Sequence, residues 1–126
     1  MKRITILLTT MLFSIALITS CSKDAATTVD TTKFAGNYAG TYIGGDAGTW
    51  TCTIDTKGVI TANGVTSSAD PFSGVGTCDA NGKINFGATD IEATFNGQIN
   101  VSTFAITGTW NNTSSQISGT FVGTKK

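Results

Sequence analysis

From Phe34 to the C-terminus, apolar and polar residues alternate with a period of two. Phe34, Gly36, Tyr38, Gly40 and Tyr42 fall on one side, and Asn37, Ala39 and Thr41 on the other. Trp50, Cys52 and Ile54 oppose Thr49, Thr51 and Thr53. The longest run has Ile91, Ala93, Phe95, Gly97, Ile99 and Val101 on one face and Glu92, Thr94, Asn96, Gln98 and Asn100 on the other. Phe104, Ile106, Gly108 and Trp110 follow, then Ile117, Gly119 and Phe121. Strict alternation is the signature of a half-buried strand. One apolar face and one Thr/Asn-rich face make an antiparallel sheet wet on one side. Parallel pairing would need crossover segments, and no helical period follows residue 33.

The turns support hairpins. Asp55-Thr56-Lys57-Gly58 and Asp79-Ala80-Asn81-Gly82 each separate two strand runs. Both suit a type I turn closed by a left-handed glycine. The second also invites a calcium reading, but an EF-hand loop places its glycine at position six and a Glu at twelve. Here the glycine is fourth, so a turn is expected.

A unit of glycine, threonine and a large residue recurs at Gly40-Thr41-Tyr42, Gly48-Thr49-Trp50, Gly76-Thr77-Cys78, Gly108-Thr109-Trp110 and Gly119-Thr120-Phe121. Glycine and the large residue share the inner face. Inner glycines relieve crowding where a sheet coils strongly, with an aromatic covering the gap. The pattern predicts about eight short strands, over 37–44, 48–55, 59–66, 72–79, 83–89, 91–101, 103–111 and 115–124. The fold expected is all-β: an up-and-down antiparallel meander, closed or nearly closed as a barrel. A two-sheet β-sandwich is the alternative. The repeat is similar to that of small Bacteroidetes lipoproteins with Gly-Thr-aromatic strands, a resemblance that spans the domain and implies structure but no activity.

The N-terminal segment is different in kind. Lys2 and Arg3 precede a nearly continuous apolar run, Ile4 to Ile18, and then Thr19, Ser20 and Cys21. This is the layout of a secretory signal peptide, too short for a comfortable span of about 20 residues. Ile18-Thr19-Ser20-Cys21 resembles the bacterial lipobox. The resemblance implies cleavage before Cys21, acylation of its sulfur and new amine, and anchoring to a membrane. Acyl chains hold by about 0.8 kcal/mol per buried methylene. Ser22, in place of an Asp, implies sorting to the outer membrane in such lipoproteins, and Ser22-Lys23-Asp24 resembles the short signals of surface-exported ones. The expected division is a signal peptide over 1–20, an acylated Cys21 with a flexible tether over 21–33, and a β domain over 34–126. Asp30-Thr31-Thr32 is similar to the acid-Thr-small O-glycosylation site of the same bacteria, which makes Thr31 a candidate.

Composition narrows the function. The 126-residue chain is only 13% charged, yet its 40% hydrophobic content suits a globular domain. Without Lys2 and Arg3, six lysines face eight acids, so nothing offers the basic footprint of a nucleic-acid binder. There is no histidine, hence no Ser–His or Cys–His nucleophile. Two cysteines are too few for zinc, and no cofactor is implied. Asp46, Asp55, Asp70, Asp79 and Asp90 fall at expected turns, where Asx hydrogen bonds account for them. Cys52 and Cys78 share the inner face. Outside the cytoplasm they are disulfide candidates, but one strand separates theirs, placing their Cα atoms roughly 9–10 Å apart by strand spacing, beyond the ~7 Å a disulfide allows. Two buried thiols are the other outcome.

Catalysis is not expected. Two classes of function remain: a lipid-anchored envelope protein with a structural or protein- or glycan-interaction role, and a small hydrophobic-ligand carrier with a lipocalin-like interior lined by Tyr42, Trp50 and Trp110. Inward aromatics fill a small barrel, which favours the first.

Overall fold

The computed structural model describes residues 30–126 as one closed barrel of eight antiparallel strands paired in chain order. They are β1 (Gly36–Gly44), β2 (Gly48–Ile54), β3 (Val59–Thr66), β4 (Pro71–Cys78), β5 (Lys83–Ala88), β6 (Ala93–Ile99), β7 (Ala105–Asn112) and β8 (Ile117–Lys125). The barrel closes where β8 returns to β1, with Tyr42 opposite Phe121 and Gly40 opposite Gly123. The meander expected from the alternation is the fold found, and the sandwich alternative is set aside. Residues 1–29, which include the expected signal peptide and Cys21, lie outside the described residues.

Alternation becomes inside and outside. Tyr38, Tyr42, Trp50, Phe72, Phe86, Phe95, Trp110 and Phe121 are buried in one cluster, while Thr41, Thr49, Thr51 and Thr53 face out. Polar outside and apolar inside is the inverse of a transmembrane barrel.

The two ends differ. At the base are the loops 55–58, 79–82 and 100–104, together with the start of β1 and the end of β8. At the mouth are the loops 45–47, 67–70, 89–92 and 113–116. Isoleucines 54, 60, 84, 99 and 106, at the basal ends of their strands, form an aliphatic layer that is at most 1% exposed. Aromatic rings fill the barrel above it. Phe86 stacks on Phe95 with ring centroids 4.7 Å apart, and Phe121 meets Phe95 edge-on at 5.4 Å. Such pairs add about 0.5–1.5 kcal/mol beyond burial.

Both DxxG loops form the expected turns. Asp55 Oδ1 accepts the Lys57 and Val59 N–H groups at 2.8 and 2.9 Å, and Gly58 takes φ +80°. Asp79 Oδ1 accepts Asn81 and Lys83 N–H at 2.9 Å each, with Gly82 at φ +82°.

Three expectations are corrected. First, β6 spans only Ala93–Ile99. Ile91 belongs to a short 3-10 turn, Thr89–Ile91, and Val101 is exposed in the loop after β6. Glu92 and Phe104 both take left-handed backbone, φ 51° and 56°, and each lies one residue before a strand starts, at Ala93 and at Ala105. Phe104 is therefore a half-buried loop residue beneath Lys125 Nζ, 4.7 Å from its ring centroid, and β7 starts at Ala105.

Second, the folded base includes residues ahead of Phe34. Thr32–Phe34 form a 3-10 turn that sends Phe34 into the base with no exposure, and Tyr38 donates its hydroxyl to the Phe34 carbonyl at 2.9 Å. Thr32 and Lys33, expected as tether, thus belong to a turn at the base. Third, Thr31 is buried, at 1% exposure, and its hydroxyl donates to the Thr56 carbonyl at 2.9 Å. A glycan on Thr31 would have to replace that contact, so the expected sugar site is closed in the folded domain.

Candidate functional site

The mouth of the barrel holds a cavity of about 330 Å³. Tyr42, Phe95 and Trp110 make its floor, and Ile91 and Ile117 flank it. These residues meet because Tyr42 ends the inward face of β1, Trp110 that of β7, and β8 lies between them in the closed sheet. Tyr42 and Trp110 pack edge to face with centroids 5.4 Å apart. The Trp110 indole N–H donates to the Ile43 carbonyl at 3.1 Å, which fixes the ring across the barrel.

Polar groups make the rim: Asp46, Thr66, Ser68, Asp70, Asn112 and Ser115. Asp46 ties two loops together. Its carboxylate accepts the Ser67 hydroxyl at 2.6 Å and the Tyr42 hydroxyl at 3.2 Å. The Ser67 hydrogen bond, chiefly, holds the Asp46 carboxyl below its ordinary pKa, with smaller help from the Ala47 N–H and Tyr42. Burial, with the Asp46 charge beside it, pushes the Tyr42 hydroxyl up to about 12. Tyr42 therefore stays a neutral donor and Asp46 an ionised acceptor. Asn112 donates its side-chain amide to the Ile91 carbonyl and so fastens the 3-10 turn to β7.

Of the three aromatics expected to line a pocket, the structure brings Tyr42 and Trp110 together at the mouth. It places Trp50 elsewhere. The Trp50 ring packs against Phe121 at 5.7 Å and Phe86 at 6.3 Å, deep in the core, and its N–H donates to the Thr41 carbonyl at 3.3 Å. Trp50 is a packing residue because the inner face at Gly123, across β1, leaves room for its ring. The role of Asp46 was not visible in the sequence. An Asx turn was expected there, as at Asp55 and Asp79, but its partners lie at Ser67, in the next loop of the mouth, and at Tyr42. Only the absence of a DxxG pattern after Asp46 sets it apart.

Cys52 and Cys78 are free, buried thiols. Cys52 lies opposite Ala62, whereas the Cys78 N–H bonds the Gly58 carbonyl at 2.7 Å. Their positions along β3 thus differ by four residues, about 13 Å along the strand, in addition to the two-strand spacing. The two stand as separate free thiols. Burial pushes Cys52 up to about 12 and Cys78 to about 11, which disfavours the thiolate of each. Among the described residues, no three acid or thiol side chains converge into a metal-binding group.

No protein-family model, curated protein or solved structure matches the chain.

Proposed function

We propose that this protein is a lipid-anchored cell-envelope protein that acts by binding rather than by catalysis, with the mouth of the barrel as its working end. The observation that carries this reading is polarity. The described chain runs into the barrel at the base, where Phe34 stoppers it, and the cavity opens at the opposite end. An acyl anchor at Cys21 holds the base toward the membrane and turns the mouth away from it. The lysines fit this orientation. Lys33, Lys57, Lys83, Lys125 and Lys126 all lie at the base, where each basic group near an anionic lipid surface adds about 1 kcal/mol. The site of action is the envelope, at the outer membrane, and the partner is a protein, glycan or small molecule that meets the mouth.

The second reading, a hydrophobic-ligand carrier using the whole interior, is favoured by the mouth cavity alone. Below it, rings and isoleucines occupy the space a lipocalin-like ligand would need.

The anchoring half is tested with Cys21→Ser. The variant is expected to remain an uncleaved precursor, to take up no labelled palmitate and to leave the detergent phase. A Cys21→Ser protein that is still processed and acylated would overturn the reading.

A further inference from the structure

The two ends of the barrel carry opposite charge. Among the described residues, the mouth loops hold Asp46, Asp70, Asp90 and Glu92 and no lysine. The base holds Lys33, Lys57, Lys83, Lys125 and Lys126 against Asp30, Asp55 and Asp79. Asp55 and Asp79 are turned back on their own loops, where each accepts two backbone N–H groups. Lys57 and Lys83, on the same two turns, are exposed. A lysine stem extends its ammonium outward from such a position, so the outermost charge of the base is positive.

An apolar group stands among these lysines. Val101, in the basal loop 100–104, is 56% exposed. Its loop is fixed by Asn100, whose Oδ1 accepts the Ser102 and Thr103 N–H groups at 2.9 and 3.1 Å and whose carbonyl accepts the Phe104 N–H at 2.8 Å. Val101 is thus presented by a preformed turn, and little ordering cost attends its burial against a partner. Phe104 of the same loop lies under Lys125 Nζ. A second valine, Val59, is 47% exposed at the basal start of β3.

The chain also enters the barrel at this end. Eight residues separate Cys21 from Asp30, and such a length reaches at most about 30 Å. It brings the base within reach of a membrane that holds Cys21, but a tether alone sets no orientation. Lysines around an exposed apolar loop do set one. Anionic headgroups attract the base and repel the four acids of the mouth, and Val101 meets the interface beneath the headgroups.

We propose that the base is a membrane-docking surface that binds an anionic phospholipid leaflet directly, through Lys57, Lys83 and their basal neighbours and through Val101. This rests on the envelope reading above and deepens it: the contact itself, and not only the acyl chain, turns the mouth away from the membrane.

The test uses residues 22–126, which contain the whole closed barrel and no acylation site, with vesicles of phosphatidylcholine alone or mixed with phosphatidylglycerol. At low salt the chain is expected to sediment with the mixed vesicles and not with the neutral ones, and to be released as salt screens the contact. Lys57→Gln and Lys83→Gln should each lower the partition about fivefold, which corresponds to the ~1 kcal/mol of one basic group near an anionic surface. Val101→Trp should partition more strongly and shift its emission to the blue when mixed vesicles are added, because tryptophan favours the interface. Val75→Trp, placed mid-wall at a position 70% exposed, should show no shift. No binding to mixed vesicles, equal binding to neutral ones, wild-type partition in both lysine variants, or equal shifts from the two tryptophans would each overturn the proposal. So would equal affinity for dextran sulfate, the mark of a site for any polyanion, or sedimentation without vesicles, the mark of copies pairing base to mouth. The acyl anchor is decided separately by the fate of Cys21→Ser, since the chain tested here carries none.

Discussion

Gly97 and Gly87 sit on neighbouring strands, β6 and β5, and face different surroundings. A Cβ at Gly97 would lie 2.8 Å from the Phe121 ring and 2.8 Å from the Thr107 carbonyl oxygen. The ring cannot move without disturbing Phe95 and Phe86, which it meets at 5.4 and 6.0 Å. At Gly87 the nearest atom to such a Cβ is the Ala93 carbonyl oxygen, 3.8 Å away. Gly97→Ala is therefore expected to destabilise by about 1–3 kcal/mol, as overpacking does. Gly87→Ala should be neutral, or stabilising by about 0.4–1 kcal/mol through the unfolded chain. Chemical denaturation of the two variants checks this, and equal midpoints would contradict the account of inner glycines as seats for rings. The Gly-Thr-aromatic repeat was legible as such a device. Which ring covers which glycine was not, because Phe121 sits over Gly97 and Gly108 from another strand.

At the scale of elements, the short turn Thr32–Phe34 matters more than its length suggests. Phe34 is fully buried, and its ring closes on Gly82 in a basal turn. Thr31 and Tyr38 brace the same segment through hydrogen bonds to Thr56 and to Phe34 itself. Phe34→Ala should cost about 3–5 kcal/mol, typical of a buried aromatic, out of the 5–15 kcal/mol that such a domain holds in total. A thermal melt should show the loss with the strand signal in circular dichroism intact at low temperature. A midpoint equal to wild type would mean that the segment is not part of the folded unit. The alternation placed Phe34 on the inner face but on a strand. The 3-10 turn escaped notice because three residues are too few to show a period. The same limit explains Ile91 and Val101: an apolar residue at the right parity reads as strand even before the ladder starts at Ala93 or after it ends at Ile99.

At the scale of the whole molecule, closure buries titratable groups that a flat sheet would leave wet. Burial is the main cause that pushes Tyr38, Tyr42 and Cys52 up to about 12 and Cys78 to about 11. Their ordinary values are 10.0 for the tyrosines and 9.0 for the cysteines. Raised folded values mean that the unfolded chain loses these protons first as pH rises. The stability they support is complete below about pH 9 and is lost progressively as pH climbs toward 12. Urea midpoints measured from pH 7 to 11 should be level at first and then fall. A midpoint that stays level to pH 11 would show that these groups are in contact with water.

Period-two alternation, glycines set among inward aromatics and two DxxG turns were enough to specify an antiparallel meander of about eight strands with a filled interior. They are local signals: parity assigns a face, and turn chemistry sets a hairpin, within a few residues of the chain. The anchoring proposal rests on the N-terminal run and Cys21, which lie outside the described residues. Closure and register belong to the tertiary structure. Whether β8 pairs with β1 depends on the twist accumulated over eight strands, which no single segment records. Register then separated Cys52 from Cys78 and sent Trp50 into the core. It brought Tyr42 of β1 to Trp110 of β7, and Asp46 of one loop to Ser67 of the next. The mouth is composite, built from residues far apart in the chain. Its chemistry exists only once the sheet has closed.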